Sequence, residues 1–339
     1  MNQSRIDIKN NKKAKKKQNK FKRLGLFVLI LFLAIGGYGT YMFSKMANVT
    51  SSAQQELERG DRSVIREQAV NPSKDNISIL FLGLDDRSGS LKGRSDAMLL
   101  ATFNEKDGSV KMLNIPRDSY VEIPGRGFDK INHAHAFGGI DLTISTVENL
   151  LNLPVDYFVT LNFDAFMEII DTFGGIEVDV PFTFSEMNSN DELGAITIYE
   201  GQQTLNGEEA LAYVRMRKQD PLGDLGRGER QKQVLESTIK KGASLTTITR
   251  FGSLMDSLED HLKTNLSFGN ILALHGYAPK LGQIESLAFD GNNTRINSIA
   301  YFQLKDESVA EISHALRVHL GLEKAIEVAD TEETTTINE

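Results

Sequence analysis

Cysteine and tryptophan are both absent from this 339-residue chain, and proline occurs only seven times. Without cysteine there is no disulfide framework, no thiolate metal site and no sulfur nucleophile, so core packing alone must hold the fold. A body of roughly 300 residues is large enough for that. No internal repeat is visible, which sets aside solenoids and arrays. The charge balance is also lopsided. The whole chain carries −8; residues 1–23 hold ten Lys/Arg and one Asp, or +9, leaving −17 for 24–339. A basic tip on an acidic body fits a membrane topology signal and not a nucleic-acid binder.

Charge is missing altogether from 24–43, LGLFVLILFLAIGGYGTYMF. As a helix these twenty residues would extend about 30 Å, the thickness of a hydrocarbon core. Lysine and arginine stay cytoplasmic, so the expected layout is a cytoplasmic basic tail (1–23), a signal-anchor helix (24–43), and an extracellular remainder in a single-pass type II arrangement. Tyr38-Gly39-Thr40-Tyr41 lacks the small residues of a signal-peptidase site, which favours an uncleaved anchor. Residues 44–75 are polar and read as a stalk with some helical content. The folded domain is expected over 76–322, followed by an acidic, disordered tail at 323–339.

Within that domain, 77–84 (ISILFLGL) is a continuous apolar run of strand length, suited to burial on both faces. Strands are also expected at 97–103, 110–115, 155–161, 176–180 and 298–304. Helical spacing marks 140–151, 164–173, 228–241, 246–262, 267–281 and 308–320, with another helix opening at Asn206. Strands alternating with helices predict an α/β fold, a mixed central sheet flanked by helices as an α-β-α sandwich. Ligands of such sheets sit at strand ends.

Three polar segments stand out, the first two beside predicted strands. Gly83-Leu84-Asp85-Asp86-Arg87 and Gly93-Arg94-Ser95-Asp96 bracket the first turn, and Asp85 with Asp96 forms a hard-oxygen pair of the kind Mg²⁺ takes beside a phosphate. The plainer alternative is a loop in which Asp96 caps a turn. In Asn114-Ile115-Pro116-Arg117-Asp118, proline ends the strand and leaves Arg117 at its edge. In Lys130-Ile131-Asn132-His133-Ala134-His135, the two histidines lack a third ligand for zinc, and Lys130 and Asn132 read as polar donors. Ala212 to Gln231 (AYVRMRKQDPLGDLGRGERQ) packs four arginines and two aspartates into twenty residues. Arg215 and Arg217 would share one side of a strand, and Arg227 and Gln231 one face of a helix. Such guanidinium forks suit phosphate or carboxylate; a solvated charged surface is the alternative for any one of them.

In this order, behind an anchor, these motifs resemble the LytR–CpsA–Psr family of cell-wall enzymes, over roughly 76–235. The resemblance rests on Asp85 and Arg87, on Arg94-Ser95-Asp96, on Pro116-Arg117-Asp118, and on Lys130-Ile131-Asn132 with Ala134 and the paired Gly138-Gly139. It continues through Tyr213-Val214-Arg215 with Arg217, and through Gly223, Asp224, Arg227, Arg230 and Gln231. His135 departs from the aromatic expected at its position. The resemblance implies a teichoic-acid-transferase-like phosphotransferase. Its donor would be an undecaprenyl-pyrophosphate-linked glycopolymer, of wall teichoic acid or capsule type, and its acceptor a muramic acid hydroxyl of peptidoglycan. It implies Mg²⁺ on Asp85 and Asp96, with Arg87, Arg94, Arg117, Arg215, Arg217, Arg227, Arg230 and Gln231 at the pyrophosphate, bracing of a carboxylate being the alternative for Arg94 and Arg230. Asp85, Asp96, Arg117, Arg215 and Arg217 would carry catalysis, and Asp224 is a candidate base. Helices 164–173 and 231–248 are candidate walls of a lipid sleeve. A non-catalytic polyprenyl-phosphate or glycan receptor needs the same arginines; an envelope-linked transcriptional attenuator is the third reading.

Overall fold

The computed structural model describes residues 53–86, 91–242, 258, 261–274, 277 and 284–324. The basic tail, the expected anchor helix, Arg87, most of the 246–262 helix and nearly all of the acidic tail lie outside them. Among the described residues no helix is long and apolar enough to cross a membrane.

Fourteen strands and six helices are described. The strands are β1 (Ile77–Leu84), β2 (Ser95–Phe103), β3 (Val110–Asn114), β4 (Tyr120–Ile123), β5 (Gly127–Lys130), β6 (Tyr157–Asn162), β7 (Ile176–Val180), β8 (Phe184–Glu186), β9 (Ile196–Ile198), β10 (Gly201–Leu205), β11 (Leu262–Thr264), β12 (Glu285–Ala288), β13 (Gly291–Ile296) and β14 (Ile299–Leu304). The helices are α1 (His133–Leu151), α2 (Phe163–Thr172), α3 (Gly207–Arg215), α4 (Asp224–Gly242), α5 (Phe268–Leu274) and α6 (Asp306–His319). Six strands form the central sheet in the order β11-β6-β1-β2-β3-β12. β1 runs parallel to β6 but antiparallel to β2, so the sheet is mixed, as the alternation of elements predicts.

Side chains alternate along a strand, so each strand feeds two cores. Leu80 and Leu82 of β1, Met98 and Leu100 of β2, Leu113 of β3 and Phe158 of β6 pack on one side, against Ile140, Ile144 and Val147 of α1 and Ile312 and Leu316 of α6. Ile77, Ile79, Leu99, Ala101, Met112 and Tyr157 point the other way, towards Leu235 of α4 and Ile271 and Leu274 of α5. This two-sided burial explains why β1 reads as an unbroken apolar run. A third cluster joins the β7–β10 ribbon, Phe184, Tyr213 and Val234. β7 and β14 answer to the strands expected at 176–180 and 298–304, whereas the short strands β4, β5, β8, β9, β10 and β13 were not expected from the sequence.

The helix expected from 140 has a kinked extra turn in front of it. Gly138 and Gly139 leave helical geometry, Gly139 at φ 61°, and regular helix resumes at Ile140. Residues 53–75 also differ from the expected stalk. Leu57 is buried in the main core. Arg59 Nη1 and Ser63 Oγ donate to the Glu148 carboxylate, both at 2.7 Å. Arg66 grips Asp156 with two bonds, Nε to Oδ1 at 3.0 Å and Nη2 to Oδ2 at 2.7 Å. The segment is a strap across the sheet end remote from β1's C-terminus. Its polar composition concealed this because it docks through buried carboxylates and few apolar side chains.

The Arg66–Asp156 pair is almost wholly buried, at 10% and 2% side-chain exposure. Removing one member of such a pair strands the other's charge, which costs about 3–5 kcal/mol. Arg66→Ala is therefore expected to lower the thermal midpoint of the full chain in detergent and to expose 53–75 to limited proteolysis. An unchanged midpoint and cleavage pattern would show that the strap is not held there.

Candidate functional site

The parallel pair β1 and β6 ends on the same side as the start of β2 and the exit from β3, so four loops meet at one sheet end. The β1–β2 ladder slips there: Gly83 pairs with Ala97 but Leu84 pairs with Ser95, leaving Asp96 as the extra residue of a bulge. Bulges turn a side chain out of the regular pleat. Asp85 follows Leu84 and is exposed. The two carboxylates thus come from neighbouring strand ends, as the sequence suggests. Behind them Asn162 Nδ2 donates to the Asp86 carbonyl at 3.2 Å while its Oδ1 caps α2 through Ala165 N at 2.9 Å.

One strand further along, Ile115 N still donates to Met98 O, and Pro116 then stops the ladder. Arg117 emerges beside the bulge and ion-pairs with Asp96 through Nη1. Its Nε is 3.9 Å from Asp118 Oδ2, and Lys130 Nζ donates to Asp118 Oδ1 at 2.7 Å. Phe302 N donates to the Asp118 carbonyl at 2.8 Å, which ties β14 alongside.

The Ala212–Gln231 stretch divides differently from the sequence expectation. Arg215 ends helix α3 and Met216 is extended, so Arg215 and Arg217 do not lie on one strand. Arg215 lies over the Phe163 ring at 5.2 Å and donates to Asp191 Oδ1 at 3.1 Å. Arg217 is exposed and joins Arg117, Asp118 and Arg227 around a cleft of about 50 Å³, closed on its far side by Asn293, Tyr301 and Phe302. Arg230 is not at this cleft. It is 2% exposed; Nε donates to Tyr213 O at 2.9 Å, Nη2 to Met216 O, and Nη1 pairs with Asp220. All its reach is spent on the α3–α4 joint, so the expectation that it binds pyrophosphate is corrected to a bracing role.

The glycines around Arg227 follow from close approach. A Cβ on Gly226 would sit 1.9 Å from Asp220 Oδ2, and one on Gly228 would sit 2.7 Å from Asn114 Nδ2. Only bare backbone lets α4 reach both the Asp220 carboxylate and the end of β3, and this sets Arg227 in the cleft. One turn later Gln231 is 8% exposed and leaves the polar cleft for an apolar cavity of about 150 Å³. Phe81, Leu99, Leu161, Phe163, Val214 and Leu235 are among its walls, drawn from the sheet and from α2, α3 and α4. The cavity lies between the sheet and helices that include the two named as candidate sleeve walls.

The remaining candidates have other partners. His133 Nδ1 bonds Asp129 Oδ2 at 2.8 Å and His135 Nδ1 donates to the Gly93 carbonyl at 2.9 Å, so the two imidazoles face different groups. Burial holds His135 below the usual histidine range, against the opposing pull of the Gly93 carbonyl. Asn132 is buried under the same turn. Arg94 is exposed, with no ion-pair partner among the described residues. Asp224 opens α4 but its side chain lies outside the described residues. Missed in the sequence were Asn293, Tyr301 and Phe302, which reach the cleft from a hairpin some 80 residues after Arg217; no local motif marks them.

The chain as a whole is similar to known proteins. The chain is 41% identical over 302 residues to the polyisoprenyl-teichoic acid–peptidoglycan teichoic acid transferase TagU of Halalkalibacterium halodurans, covering 88% of this chain and 97% of that protein. It is 40% identical over 316 residues to the corresponding TagT of Bacillus subtilis, covering 92% and 98%. Among solved structures, TagT bound to LIIa-WTA superposes with a TM-score of 0.69 at 41% identity, covering 79% of this chain and 99% of that one. The same protein with bound octaprenyl pyrophosphate lipid gives 0.65 at 39% identity, again over 79% and 99%. With the LytR_cpsA_psr family model matching residues 40–318, the chain belongs to the LytR_cpsA_psr family.

Proposed function

We propose that this chain is a phosphotransferase that moves an anionic glycopolymer from a polyprenyl pyrophosphate carrier to a hydroxyl of peptidoglycan. The observation that carries this reading is the four-residue step on α4, where Arg227 lines the cationic cleft and Gln231 the apolar cavity. A lipid-linked diphosphate is an amphiphile with that same division. Its isoprenoid chain gains by leaving water for the cavity, at about 25 cal/mol per Å² of apolar surface buried. Its two negative charges meet Arg117, Arg217 and Arg227. The relatives' names and the lipid held by TagT support the same assignment.

In the reaction, an acceptor hydroxyl oxygen attacks the sugar-side phosphorus. The bond from that phosphorus to the bridging oxygen breaks, the electron pair leaves with polyprenyl phosphate, and the hydroxyl proton is lost. Phosphoryl transfer of this kind depends on positioning and on neutralising charge over the equatorial oxygens. Arg117, held by Asp96, and Arg217 and Arg227 do both from fixed directions. Arg215, over Phe163 at the cavity wall, stands where the chain meets its head group. Arg87 and Arg94, in the loop between β1 and β2, complete the cationic set in this reading, and Asp224 serves as base.

Magnesium suits the carboxylate pair. Asp85 and Asp96 offer only hard oxygen, and among the described residues no three His, Asp or Glu side chains gather into an all-protein cage. Two carboxylates with the rest of the shell left to water and phosphate is the usual Mg²⁺ arrangement. Bound there, Mg²⁺ would supply positive charge to the diphosphate oxygens. The 24–43 run would anchor the protein with its body outside the membrane, on the leaflet that presents the lipid donor, and so raise effective concentration. The acceptor in this reading is a muramic acid hydroxyl, and the polymer wall teichoic acid or capsule. A receptor for the same lipid needs the arginines and the cavity but not Asp85. An attenuator acting on DNA is disfavoured by the −17 carried by residues 24–339.

Three measurements test the reading, all on the full chain in detergent with lipid-pyrophosphate-linked donor and uncrosslinked peptidoglycan. Because Asp85 is exposed, Asp85→Ala should leave stability unchanged, lower transfer about 10²–10³-fold, as losing a transition-state charge contact does, and keep lipid binding. Chelation should abolish transfer and Mg²⁺ restore it. Full activity in Asp85→Ala, or in chelated enzyme, would overturn the assignment. Separately, Val214→Trp, which fills the cavity wall, should weaken a long-chain donor about tenfold while sparing a short-chain diphosphate. Equal losses for both would place the lipid elsewhere.

A further inference from the structure

The β4–β5 hairpin follows Arg117 and Asp118 immediately, and nothing in the transfer chemistry above uses it. Its register pairs Tyr120 with Lys130 and Glu122 with Phe128, so these four side chains share one face. Phe128 is 60% exposed, an unusual position for a large apolar ring on a polar hairpin. Its ring lies 5.3 Å from that of Tyr120, centroid to centroid, and Tyr120 meets Tyr301 edge-on at 4.9 Å. Tyr301 in turn lines the arginine cleft. Lys130 Nζ sits 5.6 Å over the Tyr301 ring while also bonding Asp118. The result is a row of aromatic rings from solvent to the arginine cleft, edged by Glu122, Lys130 and Asp118. At the hairpin tip Arg126 covers Phe137, which is itself 42% exposed.

Exposed aromatic surface that leads into a reactive cleft marks an interaction site. The occupant is constrained by three features. The path is a single row of rings, too narrow for a protein interface. Its polar edge carries both signs, which suits a neutral, hydroxyl-rich ligand better than a polyanion. It ends at Tyr301, which lines the cleft of Arg117, Arg217 and Arg227 and not the apolar cavity. We propose that the Phe128–Tyr120–Tyr301 row is the acceptor subsite, a platform on which sugar rings of a peptidoglycan glycan strand stack so that one hydroxyl reaches the cleft. The proposal rests on the phosphotransferase reading and adds where the second substrate lies. Aromatic rings supply rigid contact area at low entropic cost, and the flanking charged groups fix orientation by hydrogen bonds to hydroxyls.

The test uses the full chain in detergent, the lipid-pyrophosphate-linked donor, and peptidoglycan glycan strands stripped of their peptides. Phe128→Ala changes an exposed residue and should fold normally. Its KM for the glycan strand is expected to rise about tenfold, with kcat and the donor KM unchanged, and Phe128→Tyr should restore it. Tyr120→Leu, which leaves a side chain to fill its half-buried place, should act in the same direction. An unchanged acceptor KM in Phe128→Ala would overturn the proposal. So would an unchanged acceptor KM accompanied by weaker binding to anionic lipid vesicles, which would make the row a membrane contact. If the unaltered chain transfers nothing to peptidoglycan, the phosphotransferase reading fails instead; that outcome is distinct, because it appears before any variant is compared.

Discussion

The joint between α3 and α4 depends on one buried cation. Arg230 is enclosed almost completely, and a guanidinium taken out of water must find an anion and satisfied hydrogen bonds or cost several kcal/mol. Asp220 supplies the charge and the carbonyls of Tyr213 and Met216 supply the remaining acceptors. Meeting that demand fixes the turn between the helices, the position of Arg217 within it, and the rotation of α4. Gly226 is part of the same constraint, because any side chain there would occupy the space of the Asp220 carboxylate. The cleft is therefore built by a residue that does not face it.

Once α4 is fixed, its helical period does the rest. Residues four apart share a face, yet the surroundings of that face change along the helix from a polar sheet end to the apolar packing of β1, β2 and β6. Arg227 and Gln231 are consequently neighbours in two different solvents. The mixed sheet contributes the other half, since parallel β1 and β6 deliver their exits to the side where β2 begins and β3 ends. An all-antiparallel meander would have placed Asp85 and Phe163 at opposite ends.

Much of this was legible in the sequence where a local signal existed. β1 was readable because burial on both faces makes the run almost wholly apolar, and α2 because 164–173 has helical spacing. Asp85, Asp96 and Arg117 were picked out by their position at strand ends, Arg217, Arg227 and Gln231 by their spacing, and all by a family resemblance; of these Arg117, Arg217 and Arg227 meet in one cleft. Arg230 was misassigned because sequence records a charge but not its burial. Arg215 was placed on a strand because it stands two residues from Arg217, whereas the capping box at Asn206 opens a helix that runs through to Arg215. The strap at 53–75 looked like linker because its docking partners, Glu148 and Asp156, are some 90 residues away. The wall made by Tyr301 and Phe302 arises from long-range strand docking, for which one sequence has no marker.

The ion pairs at the cleft also bear on turnover. Arg117 is held by Asp96 and Lys130 by Asp118, so an entering diphosphate exchanges partners for existing pairs more than it neutralises bare charge. Exchange returns less binding energy than filling an uncompensated site. That is useful to an enzyme whose products are both anionic, one a lipid monophosphate and the other a phosphodiester. A cleft of unpartnered arginines would bind the donor more tightly, but it would also retain whatever phosphate remained after transfer. Carboxylates that reclaim their cations as the bridging bond breaks give the leaving group a competitor, and they spend binding energy where charge develops and not on the ground state. In the Mg²⁺ reading proposed above, the Asp96 carboxylate that pairs with Arg117 would also help hold the metal, so the two roles would compete.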